Sequence, residues 1–425
     1  MRVSIANGMI VDPVNRVERP GDVAIDGEHI VAAGQLPAGF KPDRTIDASG
    51  LVVAPGFVDL AARLREPGFE YKATLASELH AAVAGGITTL VCPPDTDPPL
   101  DEPGLVEMLK RRAANLSLAH VHPLGALTAK LEGERLAELN VLAEAGCVAF
   151  SQGDVPLVDT LLLWRALQYA ATFKFGVWLR PQDSFLAKNG VAHDGEVATR
   201  LGLPGIPTIA ETIAITTILR LVRESGARVH ICRISSAESV QLIREAKQAG
   251  LSITCDVAIH HLHCTDADIG FFDSHFHVVP PFRTQRDREV LCAALADGTI
   301  DALCSDHTPV DEDAKQIPFG ESEPGATGLE LLLPLTLKWA KESKLSMSQA
   351  LAAITSAPAR LLGLDAGTLS PAARADICVF DPEAMVRITP QSLRSQGKNT
   401  PFLGCELAGT VRYTLVNGAV VYSGR

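Results

Sequence analysis

Eight short apolar runs, at residues 52–60, 88–92, 119–125, 147–151, 174–180, 228–234, 252–257 and 300–305, recur through the middle of this chain. Each has the length of a buried strand. Between most of them lie stretches with helical periodicity, at 74–84, 105–114, 132–145, 209–224 and 237–249. Strand and helix in alternation is the mark of parallel pairing, because parallel neighbours cannot be joined by a tight turn and need a crossover. Eight such units predict an α/β chain closed into a (β/α)8 barrel, with a doubly wound open sheet as the arrangement that strand count alone leaves open.

The two ends read differently. Residues 4–11, 22–25 and 29–33 are strand-like, with Asp26-Gly27 as a hairpin turn, and so are 377–380, 409–416 and 419–422, with Asn417-Gly418 as another. These patterns predict one small β-sandwich built from both termini, over residues 1–53 and 365–425, flanking a barrel over 54–364. The longest irregular stretch, 308–325, carries three prolines and several charges and is expected to be a loop or lid at the C-terminal face of the barrel.

At 425 residues and 47% hydrophobic, the chain can bury a large core. Its formal net charge of −12 argues against nucleic acid or an anionic membrane surface as a partner, since both call for a basic patch. The nine cysteines are scattered, odd in number and without a Cys-x-x-Cys pair, which predicts reduced thiols. With no apolar run of membrane-spanning length and no signal-peptide core behind Met1, a cytoplasmic protein is expected.

The first apolar run ends in Asp59-Leu60-Ala61-Ala62-Arg63-Leu64-Arg65-Glu66-Pro67-Gly68. Further on stand Gly85-Gly86-Ile87-Thr88-Thr89, Gly202-Leu203-Pro204-Gly205-Ile206-Pro207, Asp256-Val257-Ala258-Ile259-His260-His261-Leu262, Ser305-Asp306-His307-Thr308-Pro309 and Lys398-Asn399-Thr400-Pro401-Phe402-Leu403-Gly404. Taken together, nearly end to end, these phrases resemble the dihydroorotases, cyclic amidohydrolases whose first strand reads Asp-x-His-x-His-x-Arg-Glu-Pro-Gly. The resemblance implies an amidohydrolase-type barrel. It also implies where an active member would hold zinc: two strand 1 histidines, a strand 4 carboxylate or carboxylated lysine, histidines on strands 5 and 6, and a strand 8 aspartate.

Those are the positions at which this chain departs. The strand 1 histidines are Ala61 and Arg63, the bridging position of strand 4 falls on Gln152 or Gly153 with Asp154 as a shifted survivor, and strands 5 and 6 offer Arg180 and Arg233. Alanine has no lone pair to give, and a guanidinium is only a donor. Asp306 alone matches, at the family's acid/base position. Of the substrate contacts, Arg65 matches the carboxylate-binding arginine, and Asp95 replaces an asparagine. The resemblance therefore implies a chain without metal, in which Arg63, Arg180 and Arg233 substitute for the dications and pair with Asp306, Asp95 or Asp154; alternatively each arginine simply faces solvent.

Dihydroorotase-like chains with this pattern of ligand loss accompany aspartate transcarbamoylase, so the resemblance implies a non-catalytic scaffold, a homodimer docking onto the transcarbamoylase catalytic chain, with no cofactor. A second reading is an active, zinc-dependent amidohydrolase drawing ligands from elsewhere, such as His230, His260, His261 or His307 with Asp306. A third is a metal-free protein that binds a small carboxylate through Arg65 and the arginine cluster. The remaining histidines take ordinary roles: His260-His261-x-His263 as structural residues, and Ser235-Ser236 as a helix N-cap before Ala237.

Overall fold

The computed structural model describes residues 1–424. Its centre is a ring of parallel strands in chain order: β1 (Phe57–Asp59), β2 (Ile87–Cys92), β3 (His120–Ala126), β4 (Ala149–Ser151), β5 (Gly176–Leu179), β6 (Arg228–Ile231), β7 (Ile253–Ala258) and β8 (Ala302–Cys304). The seam between β8 and β1 closes just beyond the strand ends. Arg63 donates its backbone N–H to His307 O at 2.9 Å, and His307 donates to Ala61 O at 3.0 Å. This closure selects the barrel over the open sheet.

Buried side chains from all eight strands and their continuations fill the barrel interior, among them Leu60, Ala61, Val91, Trp178, Cys232 and Cys304. The helices pack outside with their apolar faces inward. Ala237–Gln248, for example, is started by Ser236, whose hydroxyl accepts from Ser239 N as the sequence led us to expect, and it buries Val240, Ile243 and Ala246.

Two expected elements come out differently. The run 52–60 is two strands, not one. Val52–Pro55 pairs with the terminal strands, and the chain then passes Gly56 before β1 begins; a Cβ at Gly56 would sit 2.2 Å from Thr88 Oγ1. An unbroken apolar run cannot be divided by periodicity when both halves are buried. The expected helix at 132–145 forms only over Leu139–Ala145, after a left-handed Gly133 at φ +74°.

Both termini build a single hydrogen-bonded sheet of eight strands, joined where Val52–Pro55 pairs antiparallel with 377–380. Strands from each end place Val3, Ile5, Val23, Ile25, Ile377, Val379 and Leu415 in one core, so the sheet curls over itself. All nine cysteines are free, and only Cys405 is exposed. Among the described residues, no helix is long and apolar enough to cross a membrane.

Candidate functional site: the barrel mouth

Where strands of a parallel barrel end, their next residues converge at the C-terminal face. β1 runs on through Ala61 to Arg63, β4 leads to Asp154, β5 to Arg180, β6 to Arg233 and β8 to Asp306. Three non-glycine residues here adopt left-handed backbone, Arg65 (φ +61°), Arg233 (φ +54°) and Asp306 (φ +46°). Each is a conformation that costs on the order of 1–3 kcal/mol and collects at functional sites.

The three arginine heads converge rather than disperse. Arg63 is the keystone. Its Nε donates to Asp95 Oδ2 at 2.8 Å, its Nη2 to Asp154 Oδ2 at 2.5 Å, and its Nη1 to Thr308 Oγ1 at 2.8 Å and, more loosely, to Asp306 Oδ1 at 3.5 Å. Arg180 reaches Asp154 through Nε at 2.9 Å and the backbone carbonyl of Asp154 through Nη2 at 2.6 Å, and it also donates to Gln182. Arg233 spans Asp154 Oδ1 at 2.6 Å and Asp306 Oδ1 at 3.4 Å. Three guanidinium charges thus meet three carboxylates, Asp95, Asp154 and Asp306, and the cluster is neutral as it stands.

The electrostatics follow from this packing. Burial alone would raise the Asp154 carboxyl, but Arg63, Arg233 and Arg180 together hold it well below the usual range. About a third of its side chain still reaches solvent, so that attraction is partly screened. Asp306 is deeper. Burial pushes it up to about 6 against the pull of Arg233 and Arg63. Burial also works against the charged form of Arg63, yet Asp154 and Asp95 raise its pKa overall.

The other expected positions lie outside the cluster. Gln152 turns away, accepting from Thr128 Oγ1 at 2.9 Å and donating to Leu131 O at 2.8 Å, so it does not face the former bridging position. Gly153, at φ +61°, lets the strand pass Asp95; a Cβ there would lie 3.2 Å from the Asp95 Cβ. Ala61 is buried in the barrel beneath Arg63. Arg65 is spent on the loop above: its Nε donates to Pro309 O at 2.8 Å, and Glu323 lies 3.9 Å from its Nη2.

That loop, 308–325, is pinned down. Asn399 accepts from Val310 N and donates to Thr308 O and Gly325 O, and the buried Lys315 ammonium donates to Ser274 O and His277 O. Thr308, Gln182, Glu323 and Asn399 are the site residues that sequence reasoning missed. Of these, Thr308 and Asn399 stood in phrases that drew attention.

Zinc does not fit these residues. Ala61 supplies no donor atom, the three arginines are cations, and the three carboxylates Asp95, Asp154 and Asp306 are already engaged in neutralising them. A different group, His230, Cys232 and Asp256, gathers three ligand-type atoms within 4.8 Å. Both nitrogens of the His230 ring are already engaged, by Thr254 Oγ1 at 2.8 Å and Asp256 Oδ2 at 3.0 Å, and burial keeps the Cys232 thiol protonated. His261 and His263 bond backbone carbonyls, and His307 bridges Glu78 and Gly328 N, all ordinary structural roles. His260 lies 4.0 Å from Asp306 with its Nε2 otherwise unpartnered.

Buried histidines make the chain acid-sensitive. Burial lowers the rings of His122, His261 and His277 to about 4 and His263 to about 3, and it lowers His193 and His260 as well. Between about pH 6.5 and pH 4 the unfolded chain therefore binds their protons first, and stability falls with pH. Asp59 and Asp306, both raised by burial to about 6, act in the opposite sense, taking up protons in the folded state between about pH 6 and pH 4. Burial raises Asp266 and Glu330 as well, and the six histidines outweigh these four carboxylates. The urea midpoint is expected to drop steadily on acidification through this window; a flat or rising profile would contradict the balance.

Comparison with known proteins agrees with the fold. Residues 50–239 match the family described as Dihydro-orotase-like, and residues 183–422 match the Amidohydrolase family. A dihydroorotase-like protein of Pseudomonas putida is 46% identical over 99% of both chains. A dihydroorotase of Citrifermentans bemidjiense is 39% identical over 99% of this chain and 100% of its own. Among solved structures, L-hydantoinase (dihydropyrimidinase) from Arthrobacter aurescens superposes with a TM-score of 0.89 at 25% identity, covering 99% of this chain and 96% of that one.

Proposed function

This chain belongs to the dihydroorotase-like family of amidohydrolases, and we propose that within it the chain is a non-catalytic member, an assembly subunit for the catalytic chain of aspartate transcarbamoylase. One observation carries the first half of this reading. At the positions where the fold would hold zinc, three arginines close on three aspartates. A zinc hydrolase needs the metal to bring a bound water to a pKa near 7 and to polarise the carbonyl. Asp306 retains its place, but a lone carboxylate supplies at most general base help of roughly 10²- to 10⁴-fold. Burial raises it to about 6, which makes it a better base than a free aspartate, but its Oδ1 is already held by Arg63 and Arg233.

The second half, the partner, rests on the likeness to chains with the same ligand loss. A barrel kept intact while its metal positions are filled by arginine is what docking, rather than turnover, would preserve. Co-expression with an aspartate transcarbamoylase catalytic chain, followed by size-exclusion chromatography with light scattering, tests it. The expected result is one mixed complex of fixed composition; two separate peaks at micromolar concentrations of both would overturn the assignment.

An active amidohydrolase is the second reading. It is favoured by the 39% identical relative bearing the name dihydroorotase. It would have to find its ligands outside the barrel-mouth cluster, and among the described residues the His230, Cys232 and Asp256 group is the one place where suitable atoms meet.

A further inference from the structure

A cleft of about 550 Å³ opens beneath the barrel, where its N-terminal face meets the terminal sheet. Helix Pro103–Leu116 supplies one wall through Lys110, the start of β3 a second through His120 and His122, and the chain entering the terminal sheet a third through Arg374. The cleft lies at the opposite end of the strands from the Arg63 cluster and shares no residue with it. Its volume is in the range of small-molecule sites.

Its lining departs from the charge of the chain. The whole carries −12, yet four basic side chains and a single acid, Glu28, face this space. Lys110 Nζ donates to Ala145 O at 3.1 Å and keeps two further N–H groups. Arg374 spends only its Nε, 3.1 Å from Asp376 Oδ2, which leaves both Nη groups. The clearest sign is His122, whose Nε2 is buried without a partner among the described residues. Such an orphan costs free energy until a ligand or water completes it. Burial lowers the His122 ring to about 4, and His120, Arg374 and Lys110 push the same way with no carboxylate to offset them. Asp376, the nearby buried acid, is already taken up by His120 Nε2 at 3.2 Å, Asn417 N at 2.9 Å and Arg374.

We propose that this cleft binds a phosphate group, free or carried on a small molecule, with His122 Nε2, Lys110 Nζ and the Arg374 guanidinium as its donors. The donors come from three separate elements around one space. That suits the several acceptor oxygens of a tetrahedral anion better than a flat carboxylate, which one arginine fork satisfies alone. Beyond the basic residues the wall is apolar, with Ala113, Leu118 and Val416, which leaves room for an organic body behind the phosphate. A ligand held there ties the barrel to the terminal sheet and stabilises the folded chain by mass action. The site stands or falls separately from transcarbamoylase binding.

Calorimetric titration of the full chain with inorganic phosphate at neutral pH tests it, against sodium chloride of equal ionic strength and alongside His122→Phe and Lys110→Gln. The phenylalanine keeps a ring and removes a nitrogen that has no partner, so this variant melts no lower than wild type when phosphate is absent. Should it fail to fold, Lys110→Gln, at an exposed position of its helix, decides alone. The expected result is a saturable heat with a Kd of about 1 mM, a melting temperature raised by phosphate and not by chloride, and a Kd raised about 10-fold in each variant. Phenyl phosphate separates the two sources: tighter binding than inorganic phosphate assigns the cleft to a phosphorylated small molecule, and equal binding assigns it to free phosphate. No saturable heat overturns the proposal, as does binding that either folded variant leaves unchanged.

Discussion

Replacing Arg63 with methionine destabilises the fold by about 3 kcal/mol at pH 8, near the lower end of the cost of breaking a buried ion pair. Methionine fills much of the arginine's volume, so the loss measures charge rather than a cavity. Arg63 is 6% exposed and, among the described residues, is the only one that pairs with Asp95, Asp154 and Asp306 together. Without it two guanidiniums face three carboxylates. The effect stays at the low end because Asp95 and Asp154 keep 22% and 34% of their side chains in solvent, where water replaces part of what is lost.

For a chain of this length the change corresponds to a melting temperature about 3–4 °C lower. It also has a pH signature. Asp306, already raised to about 6 by burial, loses one of the two cations that restrain it, so the folded variant takes up a proton there more readily. The deficit relative to wild type is therefore expected to shrink as pH falls from 8 towards about 6 and to level off below it, where Asp306 is protonated in both chains. An Arg63→Met variant as stable as wild type at pH 8 would show that the cluster is not held by charge.

The second large effect is a gain. Substituting Ala61→His, Arg63→His, Arg180→His and Arg233→His in one chain removes three positive charges and leaves Asp95, Asp154 and Asp306 facing the same space. Positions 61 and 63 lie two apart on the continuation of β1 and face the same way. With Asp306 they supply the three protein ligands that a zinc site with an open position requires. This variant is expected to retain zinc through dialysis, as measured by elemental analysis, whereas wild type retains none. Failure of the variant to take up metal, with its fold intact by circular dichroism, would mean that the mouth has changed in shape as well as in charge.

Much of this site was legible in the sequence because strand ends of a parallel barrel converge by geometry. Once Ala61, Arg63, Arg180, Arg233 and Asp306 were placed on strand ends, their meeting at one mouth followed from topology. What could not be read was the pairing. Asp154 looked like a displaced remnant of strand 4, yet it is the hub that three arginines share, because Gly153 turns the chain one residue further than the family pattern suggests. Likeness of phrases alone puts Gln152 or Gly153 at the bridging position; glycine has no side chain to offer, and that of Gln152 faces Thr128 instead.

The fold shows the same division. Alternating strands and helices announced the barrel, and turn signals announced the β-rich ends. The partition of residues 52–60 between two sheets was hard to read, since every position in Val52–Pro55 and in β1 is buried, the one charged residue, Asp59, falls at the end of β1, and only Pro55-Gly56 marks the break. The pinning of the 308–325 loop by Asn399 was equally hidden, because it joins segments roughly 90 residues apart in sequence through hydrogen bonds to backbone that composition does not report.

The claim that the barrel mouth is a neutral salt cluster rather than a metal centre is tested most directly by turnover. Purified wild-type chain, incubated with zinc and then dialysed, would be assayed for dihydroorotate hydrolysis and for ring closure of carbamoyl aspartate, with its zinc content measured on the same sample. The account predicts no turnover above buffer in either direction and no retained zinc. Near-stoichiometric zinc together with a kcat on the order of 1 s⁻¹ or more, within the ordinary range for enzymes, would contradict it and transfer the chemistry to residues outside the mouth.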